Sequence, residues 1–521
     1  DKDIDESDWE YVASKVPKEQ VADLLMKYGM LLNLLPKEFA QKYLSNSQYS
    51  RYIDKMSSEA EGAVQLYFEW GLESPEVQQI ITNQQQKANE IKANILKYNK
   101  PNYTFPKWYF EDLYLLPDLS DIEWEGDIML EDCVLFSLKG LPKNVKGELS
   151  IVDCNNLRSL EGCPETVGTT FSLRGLLVRS LAGCPKKVES MDMYSLPYIE
   201  NMEGAPVEIT EDLTIRYCSK LSTLKGCPKK IGGDLTLKTL RELTSLDGAP
   251  AYVRNLKILS TPITSMEGGL KLAKGDVTLG ELLNLENLNG CPEIAFGELN
   301  IQTCPNLKSL VGAPDTVRNL KIVDTSSLKN LIGCPQNILW DFEIEYTSLE
   351  SLEGAPSMVG TSVNIVNNTR IKTIGNGFKY VGGSFEIGNA PQLTSLDGFP
   401  SFVGKNINLW SLKKIENLDA LPSKIGGTTS VIDVPSDAYK QLNSLNIKIQ
   451  DPDTVEHSAK KLEELNYIGV ERFHRMSKQF NDEEPTQTTN EHVLFCAGKT
   501  PVQNLNFGYL LERASTIKSY F

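Results

Sequence analysis

A recurring Gly-x-Pro motif constrains this chain more than any other feature of its sequence. Eleven copies begin at Gly140, Gly162, Gly183, Gly204, Gly226, Gly248, Gly290, Gly312, Gly333, Gly354 and Gly398. Degenerate copies at Gly268, Gly377 and Ala420 fill the gaps, so fourteen units follow one another every 20 to 23 residues. A period of this length indicates a stack of similar turns.

Each unit contains one short stretch in which apolar and polar residues alternate. Leu235-Thr236-Leu237 is typical; a turn follows, then Leu243-Thr244-Ser245-Leu246 and the Gly-x-Pro step. Alternation predicts a short half-buried strand, and Gly-x-Pro predicts a tight turn. About 21 residues leave no room for a helix, and a single unit cannot bury its own apolar side chains.

We therefore predict a mostly β repeat solenoid of parallel strands, with about 14 units of 21–22 residues, one strand per unit and α-helical flanks. The strands are predicted to start at Ile128, Leu149, Phe171, Met191, Leu213, Leu235, Leu256, Val277, Leu299, Leu320, Phe342, Val363, Phe385 and Ile407. Thr429 is predicted to start a fifteenth, capping strand.

One position in the turn that follows each strand, which we call the turn slot, has a restricted composition. It holds Cys133, Cys154, Cys218, Cys304 and Asn368, and elsewhere Leu, Thr or Ala. This resembles the leucine-rich repeat, whose pattern is L-x-L-x-x-[N/C]. The resemblance covers about 300 of the 521 residues and implies that the slot side chain points inward and satisfies loop backbone groups. The chain departs from that pattern in one extra residue and in the Gly-x-Pro step.

A second ladder lies between apolar neighbours and contains only Ser, Thr or Asn. Its members are Ser137, Ser159, Ser180, Asn201, Thr223, Ser245, Ser265, Asn287, Ser309, Asn330, Ser351, Thr373, Ser395 and Asn417. Short side chains of this kind bond readily to nearby main chain, so we expect them to cap turn backbone. A polar binding stripe is the alternative.

The middle position of the Gly-x-Pro motif is cysteine in some units and alanine in others. The cysteines are Cys163, Cys184, Cys227, Cys291 and Cys334. Interchange with alanine predicts a small buried site rather than reactive chemistry. Free thiols in this number favour a reducing compartment.

The flanks do not repeat. Residues 1–126 are predicted to form a helical N-terminal cap or interaction domain, residues 127–435 the solenoid, and residues 436–521 a helical C-terminal cap or tail. Helices are expected near residues 17–26, from Ser74-Pro75-Glu76 to about Leu96, and after Asp451. Because the sequence opens at Asp1 rather than Met, we expect a processed or trimmed start.

Few residues could carry catalysis. The three histidines, His457, His474 and His492, all lie in the C-terminal flank, and no metal, phosphate-loop or nucleophile-elbow motif occurs, so no cofactor is expected. Cys496 is the one cysteine outside the ladders, and a Cys–His pair can form a thiolate nucleophile. An enzyme using Cys496 is therefore a minor alternative to a non-enzymatic protein.

Charge and hydropathy narrow the range of partners. The net charge of −16 makes nucleic acid an unlikely ligand, because phosphate backbones bind cations. The chain contains no run of about 18 apolar residues, so no membrane span is expected.

The segment Leu221–Leu237 is similar to the repeats of proteins from large tailed bacteriophages and giant viruses. This resemblance implies a viral protein in the virion or the host cytoplasm and names no activity. Bacterial effector ubiquitin ligases with short leucine-rich repeats are also similar, but their Cys-x-Asp signature is absent at Cys496 and their Leu-Pro repeats differ. A ligase-less effector remains an alternative.

The outward residues of the strands are the candidate binding surface, since curved solenoids usually bind through the concave face. This predicted face is basic near its N-terminal end and acidic further on. We name as its candidate residues Arg174, Tyr194, Arg216, Lys238, Lys257, Lys321, Glu343, Glu345, Glu386 and Trp410. The predicted function is a protein interaction or assembly scaffold in a phage virion. The alternative is a host-directed binder that inhibits or recruits a cellular protein.

Overall fold

In the computed structural model of the protein, the part of the chain that the structure describes is a parallel β-solenoid of about 14 turns with few helices. The structure describes residues 73–101, 103–104, 113–444 and 448–449, with a few isolated positions before residue 51. The chain divides into two compact units, Asp1–Glu208 and Ile209–Phe521. The predicted fold class is confirmed.

Unit 1 begins with helix α1 (Pro75–Ile95), followed by a 3₁₀ turn (Leu96–Tyr98). Pro75 occupies the first helical position, as predicted, but the Ser74 hydroxyl donates to Glu76 Oε2 at 2.5 Å and does not cap the backbone. The strands of this unit are β1 (Glu123–Trp124), β2 (Ile128–Glu131), β3 (Asn144–Val145), β4 (Leu149–Val152), β5 (Thr166–Arg174) and β6 (Lys187–Tyr194). The short β7 (Glu208–Ile209) follows.

Residues 113–124 cover the first repeat of unit 1. Trp124 and Leu116 are each only 1% exposed, and the Tyr114 ring stacks on Phe136 with centroids 6.4 Å apart. A solenoid needs such a cover because its end turn would otherwise expose the core. The helices predicted near residues 17–26 and after Asp451 lie outside the described residues.

Unit 2 contains a row of long strands and a row of short ones. The long strands are β8 (Leu213–Arg216), β9 (Leu235–Lys238), β11 (Leu256–Leu259), β13 (Val277–Gly280), β15 (Glu298–Gln302), β17 (Asn319–Val323), β19 (Phe342–Glu345), β21 (Val363–Val366), β23 (Phe385–Gly388), β25 (Ile407–Trp410) and β27 (Thr429–Ile432). The short strands are β10 (Tyr252–Val253), β12 (Leu272–Ala273), β14 (Ile294–Ala295), β16 (Thr316–Val317), β18 (Asn337–Ile338), β20 (Met358–Val359), β22 (Tyr380–Val381), β24 (Phe402–Val403), β26 (Lys424–Ile425) and β28 (Lys448–Ile449). Helix α2 (Ser436–Ser444) follows β27.

The prediction of one strand per repeat was wrong. The segment after Gly-x-Pro, read from the sequence as a turn, forms a second parallel strand in most turns, such as β16, which pairs with β18 through Val317 and Ile338. Two residues are too few to produce a visible alternation of polar and apolar positions. The other long strands begin where the sequence predicts or one residue earlier, but β5 and β6 begin at Thr166 and Lys187 because the segment after Gly-x-Pro continues into the long strand. The predicted fifteenth strand is β27, paired with β25.

The long strands of adjacent turns pair in register over their last four residues, which aligns their apolar residues in columns. Leu256 pairs with Leu235 on one side and Val277 on the other. One complete turn buries the side chains of Ile231, Leu235, Leu237, Leu240, Leu243 and Leu246 to 1% exposure or less. The core is therefore a column of mostly aliphatic side chains, with Phe171, Phe342 and Phe385 among them.

The Gly-x-Pro glycine is required because neighbouring turns approach closely there. Gly312 has a φ of +97°, and a Cβ at this position would lie 2.4 Å from the carbonyl carbon of Leu288 in the preceding turn. Both the left-handed backbone and the space exclude any other residue.

The turn slot predicted to face inward does so. Asn368 is fully buried; its Nδ2 donates to the carbonyls of Ile344 at 2.9 Å and Val366 at 2.8 Å, and its Oδ1 accepts from the amide of Thr347 at 3.0 Å. The Cys154 thiol, in the equivalent slot, donates to the carbonyl of Val152 at 3.4 Å. The slot residue thus satisfies backbone groups that no strand pairing reaches.

We expect Asn368→Ala to lower the free energy of unfolding by about 1–3 kcal/mol, because it leaves buried carbonyls and an amide without partners. Asn368→Cys, which restores the donor found in other turns, is expected to lose less. Urea unfolding followed by circular dichroism measures both, with the exposed Asn376→Ala as control. Equal stability of Asn368→Ala and the control would contradict the assigned role.

Candidate protein-binding face

Two alternate side chains of each long strand, those in register with the second and fourth residues of β8, point away from the core. In β8, Leu213 and Ile215 are buried, whereas Thr214 and Arg216 are partly exposed. Parallel pairing in register aligns these positions from strand to strand, as for Arg216 and Lys238. We call the two resulting rows, from β2 to β6 in unit 1 and from β8 to β27 in unit 2, the outer face of each unit; the ten candidate residues all belong to these rows.

In unit 1 the outer face carries Arg174 and Tyr194, which are paired neighbours on β5 and β6. The Arg174 guanidinium lies 5.0 Å from the centre of the Tyr194 ring. This is a cation–π distance, so the ring is partly covered by the arginine. The two residues form one combined surface feature rather than two separate anchors.

Three consecutive strands form the basic end of the outer face in unit 2. They carry Arg216 on β8, Lys238 on β9 and Lys257 on β11. Among the described residues, no ion pair involves Lys238 or Lys257. Lys257 is exposed, so its charge reaches solvent.

The acidic end begins further along unit 2, at β19. Lys321 donates to Glu343 Oε1 at 2.7 Å, and this hydrogen bond raises the pKa of the Lys321 ammonium group. Glu345 lies two residues further along the same strand. The basic Lys321 is therefore neutralised locally, and the net charge of this end is negative.

Trp410 is held flat against the sheet. Its indole covers Gly388 so closely that a Cβ there would lie 1.9 Å from the ring, and its Nε1 donates to Glu386 Oε1 at 2.9 Å. The Asn408 amide reaches the other oxygen of Glu386 at 3.4 Å. The structure thus brings Glu386 and Trp410 together into one fixed group in which the carboxylate is partly exposed.

Sequence reasoning missed a row of residues that borders the outer face. The residue after the long strand has a left-handed φ of +49° to +59° in fourteen turns, and its amide often donates to the next strand, as from Tyr217 to the carbonyl of Lys238. Tyr217 and Tyr346 occupy this row and are 44% and 59% exposed. Eleven of the fourteen residues are Asp, Asn, Ser or Thr, so the sequence carries a signal for this row, but these types are common in turns generally and only the backbone geometry separates the row from them.

The ladder of Ser, Thr and Asn caps the turns, as predicted. In twelve of the fourteen positions the side-chain oxygen accepts from the amide two residues later, as Ser351 does from Glu353 at 2.8 Å. These oxygens are therefore occupied within the fold. The alternative of a polar binding stripe receives no support from this geometry.

The thiols of the described residues are positioned for packing. Nine cysteines are free, and none is more than partly exposed. Burial raises the pKa of Cys227 and of Cys291 to about 12, so these thiols are protonated and unreactive at neutral pH. Cys496 and the three histidines, from which a catalytic Cys–His pair would be formed, lie outside the described residues.

Other kinds of site are not evident in the part of the chain that the structure describes. No group of three or more His, Cys, Asp or Glu residues there could hold a metal ion. No helix in that part has the length and hydropathy needed to cross a bilayer.

A scan against protein-family models, a search of curated proteins and a search of solved structures each find no match to this chain. The function of the outer face therefore has to be argued from its own residues.

We expect the stability of the protein to fall at alkaline pH, partly through its buried thiols. The folded state holds Cys291 protonated up to about pH 12, whereas the unfolded chain ionises near pH 8.5, so each pH unit between these values favours unfolding by about 1.4 kcal/mol per thiol. Cys291→Ala, a residue that other turns accept in this slot, should show a smaller loss between pH 7.5 and 10 than the wild type. Urea midpoints at both pH values test this.

Val311→Ala removes no titratable group and serves as the control for that experiment. An identical pH dependence of Cys291→Ala and the wild type would contradict the buried, neutral state of the thiol.

Proposed function

We propose that this protein is a non-enzymatic interaction or assembly module that binds another protein through the outer face. The observation that supports this most directly is the charge arrangement in unit 2, where Arg216, Lys238 and Lys257 lie at one end and Glu343, Glu345 and Glu386 at the other. The aliphatic column fixes the backbone beneath these side chains, so their spacing is preset before a partner arrives.

A protein partner fits this surface better than nucleic acid does. Phosphate backbones require a continuous run of cations, whereas the outer face changes sign along its length. Arginine, tyrosine and tryptophan are the residues most enriched at the energetic centres of protein interfaces. Arg216 lies on the outer face, and the exposed Tyr217 is its neighbour in the bordering row.

The setting we propose is the virion of a large tailed bacteriophage, on the similarity of the repeats. The free thiols of the described residues are compatible with the reducing cytoplasm in which such particles assemble. The competing setting is a host-directed binder in the infected cell. Quantitative mass spectrometry of purified particles separates the two: we expect a fixed copy number per virion, whereas absence from particles would favour the host-directed binder.

We expect the double variant Arg216→Glu/Lys238→Glu to lose at least about tenfold in partner capture, because charge reversal on an interface costs more than 1.4 kcal/mol. The assay is affinity capture from the native source, with mass spectrometry of the captured proteins. The matched control is Lys229→Glu/Lys271→Glu, two exposed lysines outside the outward rows. Equal capture by the double variant, the control and the wild type would move the binding site away from the outer face.

A further inference from the structure

We propose that a partner of the outer face is a second copy of this chain, bound face to face across unit 2 with the order of the turns reversed. This inference rests on the proposed function, because it uses the same surface. It adds the identity of a partner and the register in which that partner binds.

The charge gradient makes the outer face of unit 2 complementary to itself. Its basic end spans β8, β9 and β11, and its acidic end spans β19 to β23. Two copies that face each other with the same turn order would oppose like charges. Reversal of one copy places each basic end against an acidic end, which is the two-fold arrangement typical of homodimers.

A two-fold axis parallel to β15 gives the best match. This strand lies midway between β8 and β23 in the row of long strands. The axis opposes β11 to β19, so Lys257 of one copy faces Glu343 of the other, each being the second residue of its strand.

The same axis opposes β8 to β23. Arg216 then faces Gly388, the position that the Trp410 indole covers, and Glu386 lies two residues away on the same strand. A guanidinium can stack on an indole and pair with a carboxylate at the same time. The fixed Trp410–Glu386 group therefore has a partner of suitable chemistry.

The centre of this arrangement is small and largely uncharged. Asn300 and Gln302 lie on the axis, and the adjacent strands contribute Thr278, Gly280 and Val323. Two charged side chains also lie here: Lys321, which pairs with Glu343, and Glu298, the first residue of β15, which interacts with Asn300 and Lys321.

The expected complex is weak. Nine long strands at about 4.8 Å spacing and four residues per strand give a contact of roughly 40 Å by 13 Å on each copy. An interface of this size lies at the low end of specific complexes. We therefore expect a reversible dimer that weakens with salt, since the charges are close to solvent.

Charge exchange tests the proposal. The assay is sedimentation velocity of the full chain at about 100 μM, a concentration at which complexes of micromolar affinity are populated. The samples are the wild type, the variant Arg216→Glu/Lys257→Glu, the variant Glu343→Lys/Glu386→Lys, and an equimolar mixture of the two variants. We expect a dimer for the wild type, monomers for each variant alone, and a restored dimer for the mixture. Lys229→Glu/Lys271→Glu should dimerise as the wild type does.

Two results would overturn the inference. One is a wild type that stays monomeric at this concentration and low salt; the other is a dimer that the charge variants do not affect. Circular dichroism verifies that each variant is folded, so loss of the dimer is not mistaken for loss of structure. Rescue by mixing also excludes misfolding, because two unfolded chains would not recover a dimer.

A cross-link tests the register independently. Gln302 is exposed and lies on the proposed axis, so its equivalents oppose each other. Facing sheets are about 10 Å apart, which is too far for a disulfide but within reach of a short bis-maleimide. Gln302→Cys should give a cross-linked dimer and Lys271→Cys should not. A dimer without the Gln302→Cys cross-link would reject this arrangement.

The experiments distinguish a failure of the second-copy proposal from a failure of the proposed function. A monomeric wild type whose Arg216→Glu/Lys238→Glu variant loses a foreign protein would reject the second copy and keep the outer face as a binding site. Unchanged capture of that foreign protein would reject the outer face itself.

Discussion

The stacking of equivalent turns in register is the constraint on which the rest of this structure depends. A long strand makes its main-chain hydrogen bonds to the strands of the adjacent turns, as Leu235 does with Asn255 and Leu256 with Asp276. Its apolar side chains are buried only because the same positions are apolar in those turns. No turn is stable alone, so each inward position depends on its neighbours.

This constraint divides the residues of a turn into two groups. Inward positions accept aliphatic side chains, or a slot residue such as Asn368 that satisfies buried backbone. Outward positions do not have to be apolar, and they hold residues as different as Arg216, Gly388 and Ile432. Variation on a rigid sheet is what allows a repeat protein to carry a specific surface, because side chains can change while their spacing stays the same.

The outward side chains also interact with one another across turns. Lys321 pairs with Glu343, Arg174 lies over Tyr194, and Trp410 covers Gly388 while bonded to Glu386. Each pair comes from residues about 22 positions apart, which the stacking brings to adjacent strands. The effective surface therefore consists of pairs whose members restrain each other, and a residue's contribution depends on the turn beside it.

The sequence alone was sufficient for the period, the long strands, the inward slot and the capping role of the Ser, Thr and Asn ladder. Each of these recurs through the repeats, and a residue type that recurs at one position indicates a physical requirement at that position. It was not sufficient for the short strands, such as β16, or for the left-handed residues, such as Tyr217. A two-residue strand is too short to show alternation, and the left-handed positions mostly hold Asp, Asn, Ser or Thr, which are common in turns of every kind and do not by themselves indicate a left-handed backbone.

The outer face shows the same division. Alternation along the strand was enough to identify its ten candidate residues, because a side chain next to a buried one must point outward. Only the tertiary structure decided which of them act together: that Lys321 is neutralised, and that Trp410 lies flat on Gly388. Whether a side chain points inward or outward is set by the local backbone and can be predicted from the sequence. Which side chains contact each other depends on the distances between turns, and only the tertiary structure defines these.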